Sequence, residues 1–271
     1  MIELYHNDMS TCAQKVRLAL AEKGVAWESR HLDLRGRDHQ TPSYLKLNPN
    51  AVVPTLAHDG VVVIESTVIN EYVEDAFDGA ALRPSDAAGK ARMRLWTKQL
   101  DEGLHADTGV LSTSIAFRYQ KLDKGEVEVR ALIDNVPDPV KRERVRANIR
   151  EGVQSRYFRE SVLRFDALLG RMETTLARSP WLAGDAFSLA DIAYTPYLTR
   201  LEHLQMKALW AHRPHLADWY GRLRSRKSYE MAMVQWFNPK YLALMADKGA
   251  REWPSIAAIV ADAKRGKETP E

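Results

Sequence analysis

The chain has 271 residues, more than one ordinary domain of roughly 100–150 residues needs, so two domains are the first expectation. Hydrophobic residues make up 45% and charged residues 28%, with 14 Gly and 12 Pro, which excludes collagen-like, low-complexity and wholly disordered classes. The net charge of +3 is no electrostatic footprint for nucleic acid, and the single cysteine excludes an internal disulfide and any cysteine metal cage. No apolar run approaches the ~20 residues that span a bilayer, and Met1-Ile2-Glu3-Leu4 lacks the features of a secretory signal. No membrane partner is expected, and a reducing cytoplasm fits best.

Ile2 to Tyr5 reads as a short strand. Ser10 then precedes a helical stripe through Val16, Leu18, Ala19 and Leu20 that stops at Gly24, a serine N-cap and a glycine C-cap around one helix. Residues 26–34 resume as an extended run, and Pro42 to Leu47 can form a short helix before Asn48-Pro49. Two apolar runs, Thr55-Leu56-Ala57 and Val61-Val62-Val63-Ile64, flank His58-Asp59-Gly60, a strong hairpin signal. Ser66 then opens a helix carrying Val68, Ile69, Tyr72 and Val73. The order β-α-β-α-β-β-α predicts a small mixed sheet with helices packed on it.

Residues 78–87 read as a linker, small and polar with Gly and Pro, and beyond them no convincing strand signal occurs. Met93, Trp96, Leu100 and Leu104 keep one helical stripe, and Val162, Phe165, Leu168, Leu169, Met172 and Leu176 keep another. Helices are predicted near 189–203 and 215–225, and one from about 229 to 247. Residues 121–140, charged and holding Pro137 and Pro139, read as an excursion between two helices. The basic stretch Lys141 to Arg150 is interleaved with acidic and apolar residues and reads as one solvated helix face. The tail from Arg265 to Glu271 is expected to fray.

Three places can carry chemistry. Ser10-Thr11-Cys12 stands at a helix N-terminus, where a hydroxyl can donate to an anion and the helix dipole lowers a nearby thiol pKa; it can equally be a plain cap with a buried cysteine. Pro54, just before the hairpin, is either trans and structural or cis and turned toward a ligand. Glu65-Ser66 lies where a strand hands over to a helix N-terminus, which suits a carboxylate ligand or a self-contained cap. Together they suggest a site for a small anionic ligand.

Leu4-Tyr5, Ser10-Thr11-Cys12-Ala13-Gln14-Lys15-Val16-Arg17, Asn48-Pro49, Val53-Pro54-Thr55-Leu56 and Glu65-Ser66 resemble the thioredoxin-like half of a cytosolic glutathione transferase, of the theta- and zeta-like bacterial branch. Trp181-Leu182-Ala183-Gly184-Asp185, followed by Phe187-Ser188-Leu189-Ala190-Asp191-Ile192, resembles the capping box of that family's helical half. A serine cap with a carboxylate three residues on satisfies orphan N–H donors reciprocally, a folding role. The resemblance implies an α/β thioredoxin-like N-terminal domain (βαβαββα) over residues 1–77 and a linker over 78–87. An all-α helical-bundle domain follows over 88–248, with an excursion near 112–150 and an extension over 249–271.

The resemblance also implies a set of site residues. Pro54 is the expected cis-proline, and Val53 offers its backbone to the cysteinyl part of glutathione. Glu65 and Ser66 hold the γ-glutamyl group, and His39, with Gln40 as its alternative, approaches the glycyl carboxylate. Ser10 hydrogen-bonds the glutathione sulfur and favours its thiolate, which attacks a small hydrophobic electrophile; Cys12 is the rival for that role. Glutathione is thus a co-substrate, no metal is implied, and a homodimer is expected. The acceptor pocket is expected between the domains, with Phe117, Tyr119, Trp236 and Phe237 as candidates.

Three positions depart from the family pattern. Tyr5 matches the catalytic tyrosine of other classes only loosely, no second cysteine allows dithiol chemistry, and Ala51 stands where many relatives have glycine. Glu65-Ser66-Thr67-Val68-Ile69, Trp96-Thr97-Lys98 and Asn135-Val136-Pro137 are similar to the branch containing lignin β-etherases. Alignment through Glu22-Lys23-Gly24, however, puts Ala13 where one such etherase has its serine. Glutathione-dependent β-aryl ether cleavage is one alternative activity. A non-catalytic interaction module on the same fold is the other.

Overall fold

The structure, a computed structural model, describes residues 1–268 and contains two compact units. The first joins Met1–Asp101 to Thr175–Leu198 and Ala217–Asn238. Its sheet has the order β2-β1-β3-β4, from strands β1 (Ile2–His6), β2 (Glu28–His31), β3 (Thr55–His58) and β4 (Val61–Ile64). The pair β1–β2 is parallel, whereas β1–β3 and β3–β4 are antiparallel. Asp59 and Gly60 both take positive φ, 48° and 87°, the two-residue turn that Asp-Gly favours between twisted strands.

Helices α1 (Thr11–Lys23), α2 (Pro42–Leu45) and α3 (Ser66–Ala76) complete the βαβαββα order. The Ser10 hydroxyl accepts from the Ala13 N–H at the start of α1, and Gly24, at φ 68°, closes its end by donating to Ala21 and Leu20. Leu4, Val16, Leu20, Leu56, Ile69 and Val73 are fully buried, so the predicted stripes of α1 and α3 are core. At α3 the cap differs from the serine cap weighed above. Glu65 is the cap residue, at φ 67° and ψ 111°, its side chain makes no cap bond, and Ser66 is the first helical residue.

Helix α4 (Ala87–Gln99) follows the linker, with Asp86 accepting from the Gly89 N–H as its cap. Helix α10 (Leu189–His203) begins at the predicted capping box. Asp191 is fully buried and takes four donors: Leu182 N and Trp219 Nε1 at 3.0 and 2.8 Å on one oxygen, Ser188 N and Oγ at 3.0 and 3.1 Å on the other. Burial pushes its carboxyl up to about 6, against those donors, which hold it down.

The second unit joins Glu102–Thr174 and Thr199–Leu216 to the chain from Pro239 onward. Its helices are α5 (His105–Ser112), α6 (Arg118–Leu122), α7 (Glu126–Asp134), α8 (Pro139–Arg150) and most of α9 (Arg156–Leu176), together with α13 (Pro239–Glu268). The excursion read over 121–140 is helical: Asp138 and Pro139 start α8, and Val129, Ile133 and Ile149 form a small apolar cluster joining α7 to α8. The basic face of α8 is ion-paired in place, Arg146 with Glu143 and Glu151, and Arg150 with Glu126.

In the first unit, α11 (Pro214–Arg224) ends in Arg224, and α12 covers only Lys227–Ala232. The single helix predicted over 229–247 is therefore broken. Phe237 is extended, and α13 starts anew at Pro239 because proline disfavours a helical residue before it and suits a first turn. Helix α13 then runs to Glu268, so residues 265–268 of the tail expected to fray are helical; residues 269–271 lie outside those described. Among the described residues no helix is long and apolar enough to cross a membrane.

Two consequences can be measured. Asp191→Asn turns an amide toward donors that now share a carboxylate, and should lower the unfolding free energy by about 3 kcal/mol in urea titration. His6, the last residue of the inner strand β1, is held neutral by burial, with the nearby Arg17 charge adding to the effect, and its pKa falls to about 3. The unfolded chain takes up a proton below the ordinary value of 6.5 and the folded chain does not, so stability is lost as pH falls. Between pH 6.5 and 5 that loss should be about 2 kcal/mol and should vanish in His6→Gln.

Candidate functional site

Strand register gathers the site. Tyr5 lies opposite Thr55 and Thr55 opposite Ile64, so the end of β1, the start of β3 and the end of β4 share one edge of the sheet. Strand β2 runs parallel to β1 with His31 opposite His6, so its exit lies at the same edge. The residues just beyond these points are Asn7–Ser10, Leu32–Gln40, Val53-Pro54 and Glu65-Ser66. Ser10, Val53, Pro54, Glu65 and Ser66 thus stand at one end of the sheet, although they come from three separate stretches of chain, and the segment that leads to His39 and Gln40 leaves β2 at the same end.

Each is held differently. Ser10 is half-buried, and its oxygen accepts from Ala13 N at 3.3 Å, which leaves its own proton to donate. The Val53–Pro54 peptide bond is cis, and both residues are buried. Glu65 is exposed with its carboxylate accepting from Asn50 Nδ2 at 3.3 Å, and Ser66 is buried at the start of α3. Neither α1 nor α3 has an acidic residue in its first turn, and at α3 the only carboxylate at the start is that of the cap residue Glu65. His39 is half-buried, its Nδ1 has no hydrogen-bond partner, and burial lowers its pKa; Gln40 beside it is exposed.

Cys12 is half-buried and engaged with the fully buried Tyr197 hydroxyl of α10, whose pKa burial raises well above its ordinary value. Tyr5 donates to Glu3 at 3.0 Å and packs on Tyr44, a fold-building arrangement. Ala51 takes φ 53°, the left-handed conformation that glycine adopts most easily.

Sequence reasoning missed the scaffold under the proline corner. The buried Tyr44 hydroxyl donates to Val52 O at 2.6 Å and lies 2.8 Å from Thr55 Oγ1. Asn48 Nδ2 donates to the same two atoms at 2.9 and 3.0 Å. The signal was present in Asn48-Pro49, but the partners of a buried amide are set by tertiary packing. The acceptor candidates also have structural partners. In the first unit Trp236 stacks on Trp27 and meets His6 edge-on, and in the second Phe117 packs on Tyr241 while Lys248 covers Tyr119. Among the described residues no group of three or more His, Cys, Asp or Glu could hold a metal ion.

This arrangement can bind a small anion with carboxylate groups and present a hydroxyl donor to it. Residues 9–76 match the family model of the glutathione S-transferase N-terminal domain, and residues 142–222 that of its C-terminal domain. Protein LigF of Sphingobium sp. (strain NBRC 103272 / SYK-6) is 33% identical over 195 residues, 70% of this chain and 75% of that protein. The crystal structure of the beta-etherase LigF matches with a TM-score of 0.75 at 29% identity, covering 85% of this chain and 98% of its own. Tetrachloro-p-hydroquinone reductive dehalogenase of Sphingobium chlorophenolicum is 28% identical over 249 residues, 86% of this chain and 96% of that protein.

Asn48→Ala should speed amide hydrogen exchange about tenfold over residues 51–55 while leaving the rest of the sheet protected, as read by mass spectrometry.

Proposed function

We propose a mechanism on one premise: the chain belongs to the glutathione S-transferase family. Glutathione binds at this end of the sheet. Its γ-glutamyl group lies at the α3 N-terminus on Glu65 and Ser66, its cysteinyl backbone beside Val53, and its glycyl carboxylate toward His39 or Gln40. The observation that carries this reading is the register that aligns the Ser10 loop with both ends of the β3–β4 hairpin.

A free thiol with pKa ~8.5 is mostly protonated at neutral pH. The thiol loses its proton to water, and the Ser10 hydroxyl, keeping its own proton, donates a hydrogen bond to the resulting thiolate, an effect to which the positive end of α1 adds. The thiolate attacks the electrophilic carbon of a small hydrophobic acceptor, the C–S bond forms, and the leaving group departs with its electron pair. Engagement of Cys12 by Tyr197 supports Ser10 as the sulfur's partner.

Similarity to LigF supports a second reading for the acceptor, a β-aryl ether whose aryloxide is displaced from the carbon next to a ketone. The edge position of β4 and the exposed apolar residues Val61, Val62, Val68 and Leu95 support a homodimer. Residues 1–77 then form the glutathione-binding domain, 78–87 the linker, 88–248 the helical domain and 249–271 its extension.

Ser10→Ala should keep retention on glutathione resin yet lose at least about tenfold in turnover at pH 7, recovering as pH rises toward ~8.5. Cys12→Ala should stay within about twofold of the native rate. The opposite pattern would make Cys12 the sulfur's partner. A panel of aryl halides, aryl ethers and hydroperoxides identifies the acceptor; resin binding with no turnover on any would favour a non-catalytic module.

A further inference from the structure

The loop that carries Ser10 is held from beneath by a side chain to which the mechanism above gives no role. Arg17, two turns along α1, is 1% exposed. Its Nε donates to Ala232 O at 2.8 Å, Nη1 to Asn7 O at 3.0 Å, and Nη2 to Asp8 O at 2.9 Å. Nη1 also lies 3.1 Å from His6 Nδ1. Because His6 is neutral and arginine can only donate, Nδ1 accepts, and the ring proton sits on Nε2, 2.8 Å from Ser29 Oγ. Trp236 covers the guanidinium at 5.1 Å.

A cation surrounded by carbonyls, a neutral imidazole and an indole is an expensive group to bury. Burial lowers its pKa to about 9, with the Asp8 charge opposing, so the guanidinium is still charged at pH 7. A hydrophobic residue would fill that space at less cost. What the fork supplies is geometry: it turns two successive carbonyls, Asn7 and Asp8, toward the protein interior, with only Met9 between them and Ser10.

Other bonds hold the same loop. Asn7 Nδ2 donates to Leu32 O at 3.0 Å, Asp8 N to His31 Nε2 at 3.3 Å, and Asn238 Nδ2 to Asp8 Oδ2 at 3.0 Å. The titratable groups around Arg17 are Asp8 from the loop, His6 from β1 and His31 from β2. Of the charged groups elsewhere on α1, Glu22 is taken by Arg226 of the chain before α12, Lys23 by Glu74 of α3, and Lys15 by Asp101 after α4 and Thr67 of α3.

We propose that Arg17 is the positioning residue of Ser10, its fork setting where the serine hydroxyl stands relative to the glutathione sulfur. The proposal rests on the Ser10 reading. A lysine keeps the charge but cannot hold three carbonyls in one plane, so Arg17→Lys separates placement from charge.

The test titrates the thiolate of bound glutathione by its ultraviolet absorbance, and the pH profile of kcat, in native protein, Arg17→Lys, Asn238→Ala and Ser10→Ala, each with a urea melt. In Arg17→Lys the bound thiol's pKa should rise by about one unit and kcat at pH 7 fall about tenfold, with glutathione Kd within about threefold. A lowered urea midpoint with a native thiol pKa overturns the proposal, because that is a structural role alone. A native pKa in Ser10→Ala brings down the Ser10 reading and the proposal with it. A shifted pKa in Ser10→Ala beside a native one in Arg17→Lys brings down the proposal only. If Arg17→Lys does not fold, Asn238→Ala decides: a smaller rise supports the placement role, and a native value overturns it.

Discussion

The hydrogen-bonded ladder through Tyr5, Thr55 and Ile64 is the constraint on which the rest depends. With β1 antiparallel to β3 and parallel to β2, the chain leaves β1 and β2 and enters β3 at one edge, and it leaves β4 there too. A slip of one residue in this register would turn Leu4 and Leu56 out of the core, so burial enforces the alignment. The site is a by-product of that enforcement: a serine, a cis-proline corner and a glutamate–serine pair stand together because the apolar residues between them must face inward.

Buried polar groups then hold the pieces that strands do not reach. Asp191 ties the start of α10 to Leu182 and to Trp219 of α11. Arg17 ties the β1–α1 loop to Ala232 at the end of α12. In the second unit Asp107 of α5 plays the same part, accepting two bonds from Arg164 and one from Ser161 of α9. Each is a charged group with several hydrogen-bond partners, the condition under which burial of charge is tolerable. Removing one partner would leave the others unsatisfied, so such groups specify one arrangement more than they add to stability.

Much of this was legible in the chain. The Ser10 and Gly24 caps, the Asp59-Gly60 turn and the Ser188–Asp191 box are local motifs whose partners lie within a few residues, and local physics suffices for them. The break at Phe237–Pro239 was equally local and was missed because the apolar spacing on both sides continues in phase. The helical pair α7–α8 was hidden for another reason: its apolar cluster of Val129, Ile133 and Ile149 is small, and charge dominates the surrounding sequence.

Sequence by itself determined which residues could do chemistry, because a hydroxyl at a helix N-terminus, a proline before a strand and a single cysteine have properties independent of the fold. It also determined the βαβαββα order of the first 77 residues, since hydrophobic periodicity is a short-range signal. Only the tertiary structure decided how these groups are used. It engaged Cys12 with Tyr197, seated Trp236 on Trp27, set Tyr44 and Asn48 under the proline corner, and buried the charge of Arg17 beneath the Ser10 loop. Those outcomes join residues far apart in the chain. Their physical cause is the need to satisfy buried donors and acceptors in three dimensions, which no local pattern records.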